Sequence, residues 1–547
     1  MIRYLLAAEA DKIQDFIFRS SRLREVVGGS QLLSRFCAEV PGYLLPLYGG
    51  NPTTDIIIND GGSFRILFND ADQARDFGEH LAEIYRLATG GTLTVAEPVQ
   101  VGRYFSQASV EAEEGLRRKK RWFEDWQNQE QFPYMAICAS CGTGLAVEHR
   151  VYHEDEKPQY LCVSCLNKSA ERADADELGL FLKAFYQEVV GEEGLTRADW
   201  PGKTKRRERS VKDPLEDIAD YDTRRYVAYL LADGNSMGEV FSQCQSPEQM
   251  RALSRGLSQA IRRALAKPTK MIMMDHNQLE DRPDFIPVLP LILGGDDLFA
   301  LIPAPWALDF ARCFCQEYES EMSKLAKKVG LENYVSTVSV AVVICKCKFP
   351  YALAHEAGES RLKEAKRICK QRFFDQKKSS SNGNPCSVVN FEVVRGGRLV
   401  SEPRKGEVRP TLRPYWIVDE GDEWGLPVKQ LIEQRWNLRA CPKKRLSELK
   451  DLYDITNLPD FLNSEKLVRW ENKLQKLLLR LEQRSAQDQD AAVKAALKLL
   501  GGNEKGYWRH LLRDQDHYWY GHSLPDLLDA WDFALSLDKP RREYEEG

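Results

Sequence analysis

The tetrapeptide YLLA occurs twice, at residues 4–7 and again at 229–232, and each copy opens the same succession of elements. Each lies in an apolar run with the length of a buried strand that passes into a segment of helical pattern. In the first copy Ala8 follows the tetrapeptide and Gly61-Gly62 comes 53 residues later; in the second, Asp233 follows and Gly294-Gly295 comes 61 residues later. Each glycine pair sits between two strand-like runs, as the turn of a hairpin does. Order, spacing and element type agree, so a duplicated α+β unit is the reading that most restricts the fold. The alternative is that two unrelated strands share four residues by chance. The copies differ in chemistry: Ser63-Phe64 stand where the second copy has Asp296-Asp297, and Ala8 stands where it has Asp233. One copy therefore reads as active and the other as structural.

A chain of 547 residues exceeds a single core and fits about three or four domains. We expect a first unit at 1–115, a helical region with paired cysteines at 116–215, the second unit at 216–418 and a helical C-terminal domain at 419–547. Hydrophobic residues at 43% and charged residues at 29% exclude a disordered or fibrous chain. A net charge of -5 excludes a global pull onto nucleic acid, which leaves local basic runs at 117–122, 203–209 and 442–445. Such runs contact phosphates or are merely solvated; Trp122 and Trp126 add stacking faces near the first. No apolar run is long enough for a membrane span, no N-terminal stretch reads as a secretion signal, and thirteen scattered cysteines suit a reducing compartment. The expected location is cytoplasmic. In the tail, Leu467, Trp470, Leu474, Leu477, Leu478 and Leu481 form a helical core stripe, Gly501-Gly502 ends the helical region, and His517 and His522 read as surface or packing residues.

Asp233 ends one predicted strand, and Asp296 and Asp297 sit on the turn of a hairpin expected beside it. Transfer of a nucleotidyl group needs an activated hydroxyl, a neutralised α-phosphate and a stabilised pyrophosphate, which two divalent ions supply. Magnesium takes hard oxygen ligands, so these three aspartates plus a triphosphate suffice; manganese is the other candidate ion. Gly294 and Gly295 permit a tight turn and close approach of a triphosphate, and Gly234 with Asn235 follow the first acid. A GGDD string alone is also what any solvated turn favours. Its flanks raise it above that, because clustered acids at the ends of buried strands are costly unless they bind cations. Downstream, Lys363 and Lys366 share one face of a predicted helix, and either reaches a phosphate or forms a solvated basic face.

Cys138-x2-Cys141 and Cys162-x2-Cys165 are 20 residues apart, the spacing of a four-thiolate structural zinc site. A redox pair or buried free thiols are the competing readings. His149 and His153 lie between the pairs and offer a substitute ligand.

With these features assembled, the chain resembles the large palm-domain subunit of type III CRISPR effector complexes. The resemblance rests on DKIQDFIFRSSRLREVVGGS (11–30), DGGSF (60–64), the four cysteines, ADGNSMG (232–238), GGDD (294–297), VSTVSVAV (335–342), Lys366 and RPTLRPY (409–415). It implies two ferredoxin-like palm domains, a zinc-bearing insertion between them and a helical C-terminal domain, an α+β multidomain protein. It also implies conversion of ATP into cyclic oligoadenylates when target RNA binds, inside a guide-RNA complex, with a downstream effector switched on by the product. Asp233 matches the family's first metal-binding aspartate, Gly294 to Asp297 its hairpin, and Lys366 its lysine. The sequence starts at the first palm strand, and none of its eight histidines is followed by aspartate, so the HD-type nuclease of many members is expected to be missing. Asp233-Gly234-Asn235 replaces the family's frequent Asp-x-Asp, and Ala341 a frequent glycine. A catalytically silent scaffold and a cyclic-dinucleotide synthase are the alternatives; the latter class normally has Glu-Phe after its first acid, where Asp297-Leu298 stand here.

Overall fold

In the computed structural model, described residues are 2–122, 134–151, 157–171, 178–203, 214–378, 386–395, 411–418, 425–453, 464–482 and 509–545, less isolated positions 21, 275, 281, 335, 440, 442, 515, 516 and 522. The first sheet contains β1 (Arg3–Ala10), β2 (Ile56–Asp60), β3 (Ser63–Phe68) and β4 (Leu93–Val95) in the order β2-β3-β1-β4, with β5 (Val99–Val101) also on β1. β1 is apolar nearly throughout because it is covered on both faces. Leu6 and Ala8 pack with Phe36, Phe64 and Phe77, and Leu5 and Ala7 join the larger core with Ala112 and Leu116. A small hairpin, β6 (Glu148–Val151) with β7 (Pro158–Leu161), follows.

The second sheet has β8 (Tyr226–Gly234), β9 (Leu289–Gly294), β10 (Asp297–Pro303), β11 (Val338–Lys346), β12 (Val388–Val393) and β13 (Tyr415–Trp416). Its order is β13-β12-β11-β8-β10-β9. The run β11-β8-β10-β9 repeats β4-β1-β3-β2 of the first sheet, with the same antiparallel neighbours about the central strand. The registers also correspond: Tyr4 faces Phe68 and Ala8 faces Phe64, as Tyr229 faces Leu301 and Asp233 faces Asp297.

The two units hold each other reciprocally, as two-fold-related copies do. Helix Leu23–Leu44 of the first reaches β9 of the second, where the Ser30 hydroxyl donates to the Leu291 carbonyl. Helix Pro247–Ile272 of the second reaches β2 of the first, where Arg251 Nε donates to the Ile56 carbonyl at 2.9 Å and the Ser258 hydroxyl donates to Asp60. The glycine turns meet at the centre: a Cβ on Gly294 would lie 3.2 Å from Gly61 Cα.

The C-terminal part departs from the all-helical expectation. After helix Ser464–Glu482 it forms an antiparallel hairpin, β14 (Arg509–Asp514) with β15 (His517–Gly521). The aromatic-rich HYWYG favours extended backbone, a local preference that outweighs the helical trend before it. The segment after the hairpin completes the second unit. Leu537 N donates to Asp309 at 2.7 Å, and buried Asp526 accepts from Arg413 at 2.8 Å and from the Tyr415 hydroxyl at 2.7 Å. Trp470 and Leu474 of the expected stripe are buried; the side chains of Leu467, Leu478, Leu481 and His517, with His522 and Gly501-Gly502, lie outside the described residues.

Candidate active site and cysteine cluster

Asp233 and Asp297 are direct cross-strand partners at the ends of β8 and β10, and Asp296 occupies the turn between β9 and β10. Direct pairing puts both side chains on one face of the sheet. Gly295 turns the chain with φ 61°. Asp233 and Asp296 are half-buried and Asp297 is open on its outer side. Among the described residues, the three carboxylates do not gather within 4.8 Å as the cysteine sulfurs do. Burial first, and then mutual repulsion, raises two of the acids: Asp296 to about 6 and Asp297 to about 8. Such repulsion is relieved by bound cations, so the donor set fits divalent ions with oxygen ligands.

Lys366, on helix Tyr351–Lys378, is ion-paired with Asp233. Lys363 is exposed one turn earlier and close enough to His355 to oppose its protonation. Gly234 faces protein: a Cβ there would come 2.6 Å from Met237 Cγ, 3.0 Å from the Tyr318 hydroxyl and 3.2 Å from Asp296 Cβ. Its lack of a side chain makes room for the acid on the turn. Asn235 is engaged within the protein, its amide donating to Thr337 Oγ1 at 2.9 Å and its carbonyl accepting from Ser339 Oγ at 2.7 Å.

Two further acids surround the site, and neither lies in a sequence motif. Glu9 of β1 is near enough to raise Asp296, and Glu359 near enough to raise Asp297. The signal for Glu9 was present: in the repeat it follows Ala8 as Gly234 follows Asp233. Lys120 pairs with Glu9 at 3.0 Å and Asp11 at 3.4 Å, while Arg117 pairs with Glu113 and Lys119 with Glu97. Much of the run at 117–122 is thus matched by acids of its own unit. In the other runs, Arg445 pairs with Glu448 and Lys203 lies 4.1 Å over the Trp200 ring; residues 204–209, Trp126 and the Trp122 side chain are outside the described residues.

The Sγ atoms of Cys138, Cys141, Cys162 and Cys165 all lie within 4.8 Å of one another. Cys141 and Cys162 are 3.7 Å apart, against about 3.8 Å for tetrahedral ligands with zinc–sulfur bonds of about 2.3 Å. The cluster therefore fits a four-thiolate ion. Gly144 N also donates to Cys141 Sγ at 3.4 Å. His149 stacks on Tyr160 with ring centroids 4.2 Å apart, and His153 lies outside the described residues. Helix Val163–Glu171 presses the cluster onto helix Leu23–Leu44 at Gly28-Gly29, where a Cβ on Gly28 would lie 1.9 Å from the Lys168 carbonyl oxygen.

Strands β8 to β11 of the second sheet, with the paired acids, lie within a segment that matches a palm-domain model. Residues 226–373 match the family model for Cas10/Cmr2, second palm domain. Similar solved structures include a Csm1–Csm4 cassette in complex with cA4 (17% identity, 90% of this chain and 69% of that chain, TM-score 0.48). Others are a Csm1–Csm4 cassette with pppApA (16%, 90% and 69%, TM-score 0.49) and Csm1 in T. onnurineus (16%, 87% and 64%, TM-score 0.47). No curated protein matches. Among the described residues no helix is long and apolar enough to cross a membrane.

Proposed function

We propose that this chain is a divalent-metal-dependent nucleotidyltransferase that converts ATP into cyclic oligoadenylate-type messengers within an RNA-guided antiviral complex. The observation that carries this reading is the cross-strand pair Asp233 and Asp297 with Asp296 on the intervening turn, inside the segment matched to the Cas10/Cmr2 second palm domain. We read both sheets as ferredoxin-like palms, a reading that the shared strand order β4-β1-β3-β2 and β11-β8-β10-β9 supports. We assign the first palm to 1–115, the cysteine-bearing region to 116–215, the second palm to 216–418 and the C-terminal region to 419–547.

Asp233, Asp296 and Asp297 would hold magnesium or manganese, which when bound lowers the cost of charge on the attacking and leaving oxygens. The open side of Gly295 lets a triphosphate lie against the turn without meeting a side chain. Lys366, anchored on Asp233, is placed to exchange that carboxylate for a phosphate oxygen as charge enters the site, with Lys363 as a second cation on the same helix. Asn235 holds the end of β8 to Thr337 and Ser339 and so fixes Asp233; with Gly234 and Gly294 it shapes the nucleotide-binding floor. The cysteine cluster is a closed structural zinc site. Guide-RNA complex subunits and target RNA are the partners, the location is cytoplasmic, and a downstream effector takes up the product.

The test is incubation of the purified chain, with and without added RNA, with magnesium or manganese and each labelled nucleoside triphosphate, products being separated by mass. Adenosine oligomers from wild type, absent from Asp296→Ala/Asp297→Ala, are expected. No product from any triphosphate would overturn the enzyme and leave a scaffold subunit.

A further inference from the structure

The lysine beneath the cysteine cluster has no part in the chemistry above. Lys168 is 1% exposed, and a lysine so buried is costly unless its charge is matched. Its ammonium donates to the Phe16 carbonyl, lies 3.3 Å from Ser20 Oγ and sits 4.3 Å over the Phe16 ring. Ser20 Oγ is in turn 3.8 Å from Cys165 Sγ, so one hydroxyl separates the ammonium from a ligand sulfur. Burial pulls the Lys168 pKa below its ordinary value, and Cys165, Glu25 and Cys141 oppose that pull.

Four thiolates around a dication leave two net negative charges, and sinking them under a helix calls for a cation. Glu25, fully buried, adds a further carboxylate and accepts from Ser140, which lies between two of the cysteines. The same short helix, Ile13–Phe18, that gives its Phe16 carbonyl to the lysine puts Phe18 edge-on to Phe299, with centroids 5.0 Å apart. Phe299 is two residues along β10 from Asp297.

We propose that Lys168 is the counter-ion of the metal-bound cysteine cluster, and that it makes metal binding and the seating of helix Ile13–Phe18 on the second palm one event. This rests on reading the cluster as a zinc site. Zinc then sets the position of Phe18 against the strand bearing Asp297 through a cation that leans on both, with no contact between the ion and the active site. Loss of the ion strands a buried ammonium against a backbone carbonyl and loosens the helix.

The test uses the full chain, wild type and Lys168→Met. Zinc is measured by metal analysis, its release to a chromophoric chelator is timed, and melting is compared before and after stripping. Wild type is expected to carry about one zinc; Lys168→Met should release it on the order of tenfold faster and lose most of the melting difference between loaded and stripped forms. Release at the wild-type rate with a lower melting temperature makes Lys168 a merely structural residue and overturns the proposal. Wild type free of zinc overturns the reading of the cluster itself, and the proposal with it. Should Lys168→Met fail to fold, Glu25→Gln decides: with the competing carboxylate neutral, the lysine serves the thiolates alone and release slows several-fold. Unchanged or faster release would assign the lysine to Glu25 and refute the role.

Discussion

Gly234→Ala tests whether the position of Asp296 depends on the absence of one methyl group. Gly234 is not at a positive φ, so its backbone accepts alanine, and the unfolded-state effect alone would stabilise the variant by about 0.4–1 kcal/mol. Against this stand the contacts a Cβ would make: 2.6 Å to Met237 Cγ, 3.0 Å to the Tyr318 hydroxyl and 3.2 Å to Asp296 Cβ. Met237 and Tyr318 are both buried, and a comfortable contact is about 3.5–4.0 Å. The methionine can swing, but the tyrosine and the turn have to give by several tenths of an ångström. Overpacking of this kind costs about 1–3 kcal/mol, so the net expectation is a loss of about 1–2 kcal/mol. The acid on the turn is the neighbour free to move, and misplacement of a reacting group by an ångström costs on the order of a hundredfold in rate. Thermal melting and product formation from ATP read the two effects. Gly295→Ala is the contrast for melting alone, since it strains φ 61° but meets no protein atom. A Gly234→Ala protein with unchanged or higher melting temperature and full activity would refute the packing argument.

Gly28→Ala should undock the cysteine region, because its methyl would sit 1.9 Å from a backbone oxygen that cannot rotate away; a destabilisation above about 1 kcal/mol in melting is expected, against the gain that helix propensity alone predicts. His355, buried between Phe18 and Phe299, is pulled down to about 4 by burial and by Lys363. The unfolded chain takes up that proton near pH 6.5, so the contribution to stability is whole above that pH and is lost as pH falls towards 4, by about 1–3 kcal/mol. His355→Gln should flatten melting temperature against pH in that window, and parallel curves would acquit the histidine. Arg413→Lys removes a half-buried fork that donates to Asp526 and Asp529, each at 2.8 Å, and should cost about 2–4 kcal/mol in denaturant unfolding.

The duplicated succession of elements, the hairpin turns, the three candidate acids and the four cysteines are legible along the chain. These follow from local rules: strand periodicity, the turn chemistry of glycine and aspartate, and ligand spacing are all written within a few residues of where they act. That Asp233 lies beside the hairpin bearing Asp296 and Asp297 is expected from the sequence, whereas its direct pairing with Asp297 is a matter of register. Packing settles the relations between residues far apart in the chain. Spacing leaves Lys366 and Lys363 equivalent and only the family resemblance separates them; the pairing of Lys366 with Asp233 comes from a helix about 130 residues downstream packing over β8. Gly234 reads as room for a triphosphate until Tyr318 comes in from another helix to fill that room with protein. Lys168 and Asp526 carry no local signature. Each acquires its partner only through packing between units, and hydrophobic patterning says which face of a helix is buried without saying against what.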